Sequence, residues 1–195
     1  MQNITLSCRV IAGLIASLTM AAVLAGTAIA GDACSGPTGS CHASHQVPYV
    51  GLLLASRHIG RADLEDVTPG LTFGRRGPLG SAAHPRSPEW HAEAGIFRNS
   101  YGETSPIALA GLSYRVADLG ALGRLRLGAS VGVARYSELA GELEESHGVP
   151  NIDGFIPIAA ATIALRRERT DIRISTVPPG EDVTAILNLS LAVRF

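Results

Sequence analysis

The chain contains no lysine, so all 16 of its basic residues are arginines, and they face 17 acidic ones. Without a surplus of positive charge there is no footprint for a phosphate backbone, and no nucleic-acid partner is expected. Beyond residue 30 no stretch reaches the roughly 18 uncharged apolar residues that a membrane-crossing helix needs, which excludes one from the body of the chain. Cysteine is scarce. Of the 3 present, Cys8 lies in the leader described next, so only Cys34 and Cys41 remain for an oxidising compartment. Spacing alone leaves a disulfide between these two open. Cys41, His42 and His45 have no fixed scaffold around them, and the alternative to a metal site is a solvated leader, so no metal is expected.

Residues 1–30 have the make-up of a secretory signal peptide. Arg9 supplies a thin positive region, residues 10–25 are apolar, and Ala28-Ile29-Ala30 forms a small-x-small cleavage site that puts the mature start at Gly31. An uncleaved helix is the alternative, but the apolar run is short and ends in the cleavage pattern. Asp32, just before Cys34, does not suit a lipoprotein signal. Residues 31–48 then form a polar periplasmic leader, and 49–195 are of single-domain length.

What the chain does have is alternation. Over 186–195 Leu187, Leu189, Leu191, Val193 and Phe195 share one parity, while Asn188, Ser190 and Arg194 share the other. Period two means a strand with one apolar face. Similar segments recur at 49–58, 69–75, 90–98, 106–115, 124–136, 155–165, 171–177 and 183–195. On the fifth, Leu125, Leu127, Ala129, Val131 and Val133 oppose Arg124, Arg126, Gly128, Ser130 and Gly132; on the seventh, Ile172 and Ile174 oppose Asp171, Arg173 and Ser175. The first and sixth alternate poorly. Eight strands, an export signal and a terminal aromatic predict an all-β, eight-stranded antiparallel transmembrane barrel of the outer-membrane type, apolar faces to lipid and small or polar faces inward. The 22 glycines suit a crowded interior. That interior is about filled by its own side chains or holds one small ligand, so a porin channel is not expected.

An even strand count puts both termini in the periplasm. The outside loops are then 59–68, 99–105, 137–154 and 178–182, and the inside turns 76–89, 116–123 and 166–170. Tyr49, Trp90, Tyr114 and Phe195 fall near the inner interface, Tyr101 and Tyr136 near the outer one, as an aromatic belt requires. Glu93, Arg126, Asp171, Arg173 and Arg194 point inward and should pair, since an isolated buried charge is costly. Glu142, Glu144 and Glu145 are expected in a solvated loop, and Arg166-Arg167-Glu168-Arg169 in a turn.

This topology brings His58, at the end of the first strand, to the same rim as Asn99 and Ser100, at the end of the third. A histidine and a serine there suit a general base and a hydroxyl partner. Proline removes ladder donors, so Pro157, Pro178 and Pro179 would interrupt strand pairing; the plainer reading is a strand start and a loop.

Short matches run in order over 49–195. Ser56-Arg57-His58 stands where a Trp-His pair ends the first strand of the PagP-type lipid A palmitoyltransferases. Phe97-Arg98-Asn99-Ser100-Tyr101, then Pro106-Ile107-Ala108 and Gly111, stand where that family has Phe-Lys-Asp-Ser, an aromatic, and Pro-Ile-Ala-Gly. Ile156-Pro157-Ile158 is similar to its Leu-Pro-Leu, and Thr176-Val177-Pro178-Pro179-Gly180 to its Tyr-Ile-Pro-Gly. The chain thus resembles a divergent member. The resemblance implies His58 and Ser100 as catalytic residues, with Asn99 at the position of an aspartate. It also implies lateral lipid entry at Pro157 and at Pro178-Pro179, with Gly95, Gly111, Gly128 and Gly132 leaving room for a chain. Asn99 carries no charge to orient a histidine; Glu103 or Asp63 would replace it if a loop folds over. The family's amphipathic helix before the first strand has no counterpart.

The expected activity is transfer of a palmitoyl-type chain from a phospholipid donor to a lipid A acceptor by a monomeric barrel without cofactor. The alternatives are a non-enzymatic lipid-binding or structural barrel and, ranked below it because no strand carries a His-x-Ser-Asn motif, a lipid A deacylase.

Overall fold

The structure, a computed structural model, describes residues 46–59, 66–79, 87–137, 139–177 and 185–195. The signal peptide, most of the leader with Cys34 and Cys41, Asp63, and Pro178 and Pro179 lie outside the described residues. Eight antiparallel strands close into one barrel, each paired with its chain neighbours and β1 with β8. They are β1 Val47–Ile59, β2 Gly70–Pro78, β3 Glu89–Arg98, β4 Thr104–Asp118, β5 Arg124–Arg135, β6 Phe155–Arg167, β7 Thr170–Val177 and β8 Ala185–Arg194. The expected eight all form, most of them longer than expected. We call the end holding Val47 and Arg194 the lower end, and the end holding Ile59 and Ala185 the upper.

The barrel is inside-out relative to a soluble one. Leu71, Phe73, Ile96, Leu127, Ile163, Ile174 and Leu189 are exposed on its outer face, while Arg76, Arg126, Arg166 and Asp171 are buried inside. Two irregular strands now have a cause. In β1 the register with β8 slips between Leu53 and Ala55, so Tyr49 and Gly51 below and Ser56 and His58 above are all buried although their parities differ. A bulge reverses the facing, and no single alternation survives it. In β6 the inward Ile158 and Ala160 line an apolar part of the lumen, so both faces are apolar and the period vanishes.

The lower lumen is crossed by an ion-pair plug. Arg166 and Asp171 are direct cross-strand partners, and the Arg166 Nε donates to Asp171 at 3.1 Å. Across the lumen the Arg166 Nη atoms donate to both Glu89 oxygens at 2.9 and 2.8 Å. Arg76 donates to Asp171 as well. Above them Arg173 pairs with Glu93 at 3.4 Å. Glu89 and Arg166 were expected in turns; β3 begins and β6 ends further down than the sequence suggests, which draws both inside. Tyr49 also departs from expectation. It is not a belt residue but is fully buried in the lumen, its ring 5.4 Å from the Arg76 guanidinium and 4.8 Å from that of Arg173. The turns are shorter than expected, and the loop 137–154 carries a helix, α1, Leu139–His147, on which Glu142, Glu144 and Glu145 are exposed.

Asp171 is 1% exposed and joins two arginines. Asp171→Ala is therefore expected to destabilise the barrel by about 3–5 kcal/mol, the scale of a broken buried pair. Urea unfolding of the refolded variant in detergent, beside the unaltered chain, measures it.

Candidate functional site

β1 rises past the top of β2. Their pairing stops at Leu53↔Gly70, and above it Ala55 to Ile59 pair with β8. This overhang carries His58 on its inner side, 6% exposed. Arg57, next to it, points outward and pairs with Asp66 at 2.5 Å. The loop after β3 leans over the same rim, and its Ser100 Oγ stands 3.0 Å from Nε2 of His58. The two residues, 42 apart in sequence, thus meet as a hydrogen-bonded imidazole–hydroxyl pair.

Asn99 does not join them. Its Oδ1 accepts from the backbone N–H groups of Tyr101 and Glu103, both at 3.0 Å. Its Nδ2 donates to Ser105 Oγ at 3.0 Å and to Glu103 Oε2 at 3.2 Å. Fully buried, it is the pin of a tight loop that also needs Gly102 at φ 81°, a conformation glycine adopts without strain. Glu103 is committed there too, since its Oε2 also accepts from the Ser137 N–H at 3.1 Å. So Asn99 shapes the backbone that presents Ser100 and spends its polar groups doing so.

Below this pair lies a cavity of about 160 Å³. Its upper walls are Leu53, Phe97, Ile107, Leu109, Ile158 and Val177, with the Tyr136 ring edge-on to Phe97 at 6.2 Å. Along β2, β6 and β7 the hydroxyls of Thr72, Thr162 and Ser175 each lie above a plug residue of the same strand, Arg76, Arg166 and Arg173, and Ser130, Asn188 and Ser190 add polar lining. Within this region His91 Nε2 lies 2.9 Å from Ser130 Oγ. Sequence reading passed over His91. The signal was there in Glu89, His91 and Glu93, three ionisable residues on alternate positions of one strand, which all face inward.

Pro157 sits at a break in the ladder. Tyr136 N–H donates to the Gly154 carbonyl, so even-numbered residues of β6 bond to β5 and odd-numbered ones turn toward β7. Pairing of β6 with β7 begins only at Ala161↔Thr176. Among the described residues 155–160 of β6 have no β7 partner, and the donor that Pro157 lacks would point to that side. The proline therefore leaves the β5 ladder intact.

Of the glycines expected to leave room, Gly128 lines the cavity. At all four, Gly95, Gly111, Gly128 and Gly132, an added Cβ would run into a neighbouring strand's carbonyl oxygen, so each serves close strand packing. Comparison with known protein families and with curated proteins finds no match for this chain.

If Asn99 is a loop pin, Asn99→Asp will not improve the site. The new carboxylate would lose its two donor contacts and face Glu103 where the amide now binds it. The substitution is expected to destabilise the barrel by about 1–3 kcal/mol and to speed amide exchange at Tyr101 and Glu103, read by urea unfolding and hydrogen exchange.

Proposed function

We propose that this barrel lies in a bacterial outer membrane, lower end to the periplasm, and transfers a palmitoyl-type chain from a phospholipid to lipid A. The observation that carries the reading is the His58–Ser100 pair at the upper rim of a barrel whose lumen holds a cavity with apolar upper walls. Its exposed apolar outer face and sequence-level export signal support the location. The resemblance to the PagP-type enzymes supports the reaction.

In such a transfer an acceptor hydroxyl attacks the ester carbonyl of the phospholipid. Its proton passes through the Ser100 hydroxyl to Nε2 of His58. The bond from the carbonyl carbon to the glycerol oxygen then breaks, and His58 returns the proton to that oxygen, leaving a lysophospholipid. The donor's chain would lie in the cavity, entering beside Pro157 as the resemblance implies. Metal and organic cofactor have no part in this scheme.

A non-enzymatic lipid-binding barrel is the second reading, and one observation favours it. Asn99, at the position where the similar family has an aspartate, is consumed by its own loop, so the group that would orient His58 does not come from there.

Mass spectrometry of lipid A from outer membranes with and without the chain tests both. The acyltransferase adds one palmitoyl chain, and His58→Ala and Ser100→Ala each lower that product by about 10²-fold or more, as loss of a general base does, while the barrel remains folded. Unchanged lipid A with the folded chain present would favour the second reading; a released chain that depends on His58 would point to a deacylase.

A further inference from the structure

The charges lining the cavity do not balance. Arg76, Arg126, Arg166 and Arg173 reach it, against Glu89, Glu93 and Asp171, so one positive charge is left over even with His91 neutral. The surplus can be placed. Arg166 holds both Glu89 oxygens and Asp171, Arg76 holds Asp171, and Arg173 holds Glu93. Arg126 has no such bond. Its Nε and Nη2 donate to neutral acceptors, the Ser113 hydroxyl and carbonyl at 3.0–3.1 Å, and its nearest carboxylate, Glu89, stands at 4.0 Å and is already taken by Arg166. Yet Arg126 is only 7% exposed. A buried guanidinium whose one carboxylate stands 4.0 Å away and is shared with Arg76 and Arg166 is incompletely compensated, and a bound anion would relieve that cost.

The way to Arg126 runs through the cavity. On the inner side of β5, Ser130, Gly128 and Arg126 descend in order, and all three line the cavity. That space is apolar higher up, between Leu53, Phe97, Ile107, Leu109 and Ile158. A single surplus positive charge at the bottom of a shaft with apolar upper walls selects a single-chain amphiphile with a monoanionic head.

We propose that the lumen is a binding site for a long-chain fatty acid held head-down, its carboxylate on Arg126 and its chain rising through the apolar half. The site does not depend on His58 or Ser100 and stands whether or not the barrel transfers acyl groups.

Native mass spectrometry of the full chain released from non-ionic detergent micelles tests it, with palmitic acid, methyl palmitate and sodium phosphate as probes. Palmitic acid should be retained, methyl palmitate at least about tenfold less and phosphate not at all, because the ester has the same chain without the charge. Arg126→Gln should lower palmitic acid retention about tenfold, Arg126→Lys less, and His58→Ala should leave it unchanged. Equal retention of acid and ester would overturn the proposal without recourse to any variant. So would undiminished palmitic acid binding in a folded Arg126→Gln chain. Retention of phosphate but not palmitic acid, lost in the same variant, would replace the amphiphile with an inorganic anion site.

Discussion

Two carboxylates, Asp171 and Glu89, hold the lower half of the barrel together. Between them they engage Arg76 and Arg166 from β2 and β6, and the Glu89–Arg166 contact spans the lumen. Neither carboxylate would be tolerated inside alone, nor would either arginine. Together they close one end of the barrel with charge rather than with aliphatic packing. A small barrel whose apolar residues are spent on its outer face has few left to fill its centre, and ion pairs do that filling here. Tyr49, set between two guanidiniums, completes the layer with a ring instead of a further charge.

A closed lower end leaves the upper end as the way in. There the overhang of β1 beyond β2 lifts His58 above the top of β2 while it stays paired with β8, and the loop pinned by Asn99 brings Ser100 to meet it. The two features have separate origins. One is the register of two strands; the other is a set of side chain–backbone hydrogen bonds within five residues. Their convergence at 3.0 Å is therefore informative in a way that either alone is not.

The fold was legible because the outer face has a single requirement. Residues such as Leu187, Leu189 and Leu191 repeat with period two wherever the sheet is regular, so strand number and order follow from sequence. Facing in β1 was not legible, because an inserted residue at a bulge leaves no chemical mark. The rim pair was foreseen from strand count, which places His58 and Ser100 on the same side. The work of Asn99 was not, since an asparagine and an aspartate at one position differ by a charge, while the choice between orienting a histidine and tying a loop depends on three-dimensional neighbours. Arg166 and Glu89 were assigned to turns because polar residues near strand ends look solvated until the lengths of the paired strands are known.

The lumen is divided along its axis into an apolar upper half, a set of hydroxyls and a charged floor, and this division limits what can enter and in which direction. A chain arriving tail-first from an esterified lipid meets apolar walls at the rim and then the hydroxyls of Thr72, Ser130 and Thr162, which offer hydrocarbon nothing. Its ester stays at the top, where His58 and Ser100 are. A free acid has the opposite preference, because its only charged end is matched by Arg126 at the floor. The two modes use the same apolar walls with opposite polarity, so one ligand would exclude the other. A fatty acid released near this barrel would then compete with an esterified chain for one shaft, and the charge surplus that creates the lower site would set the balance between them.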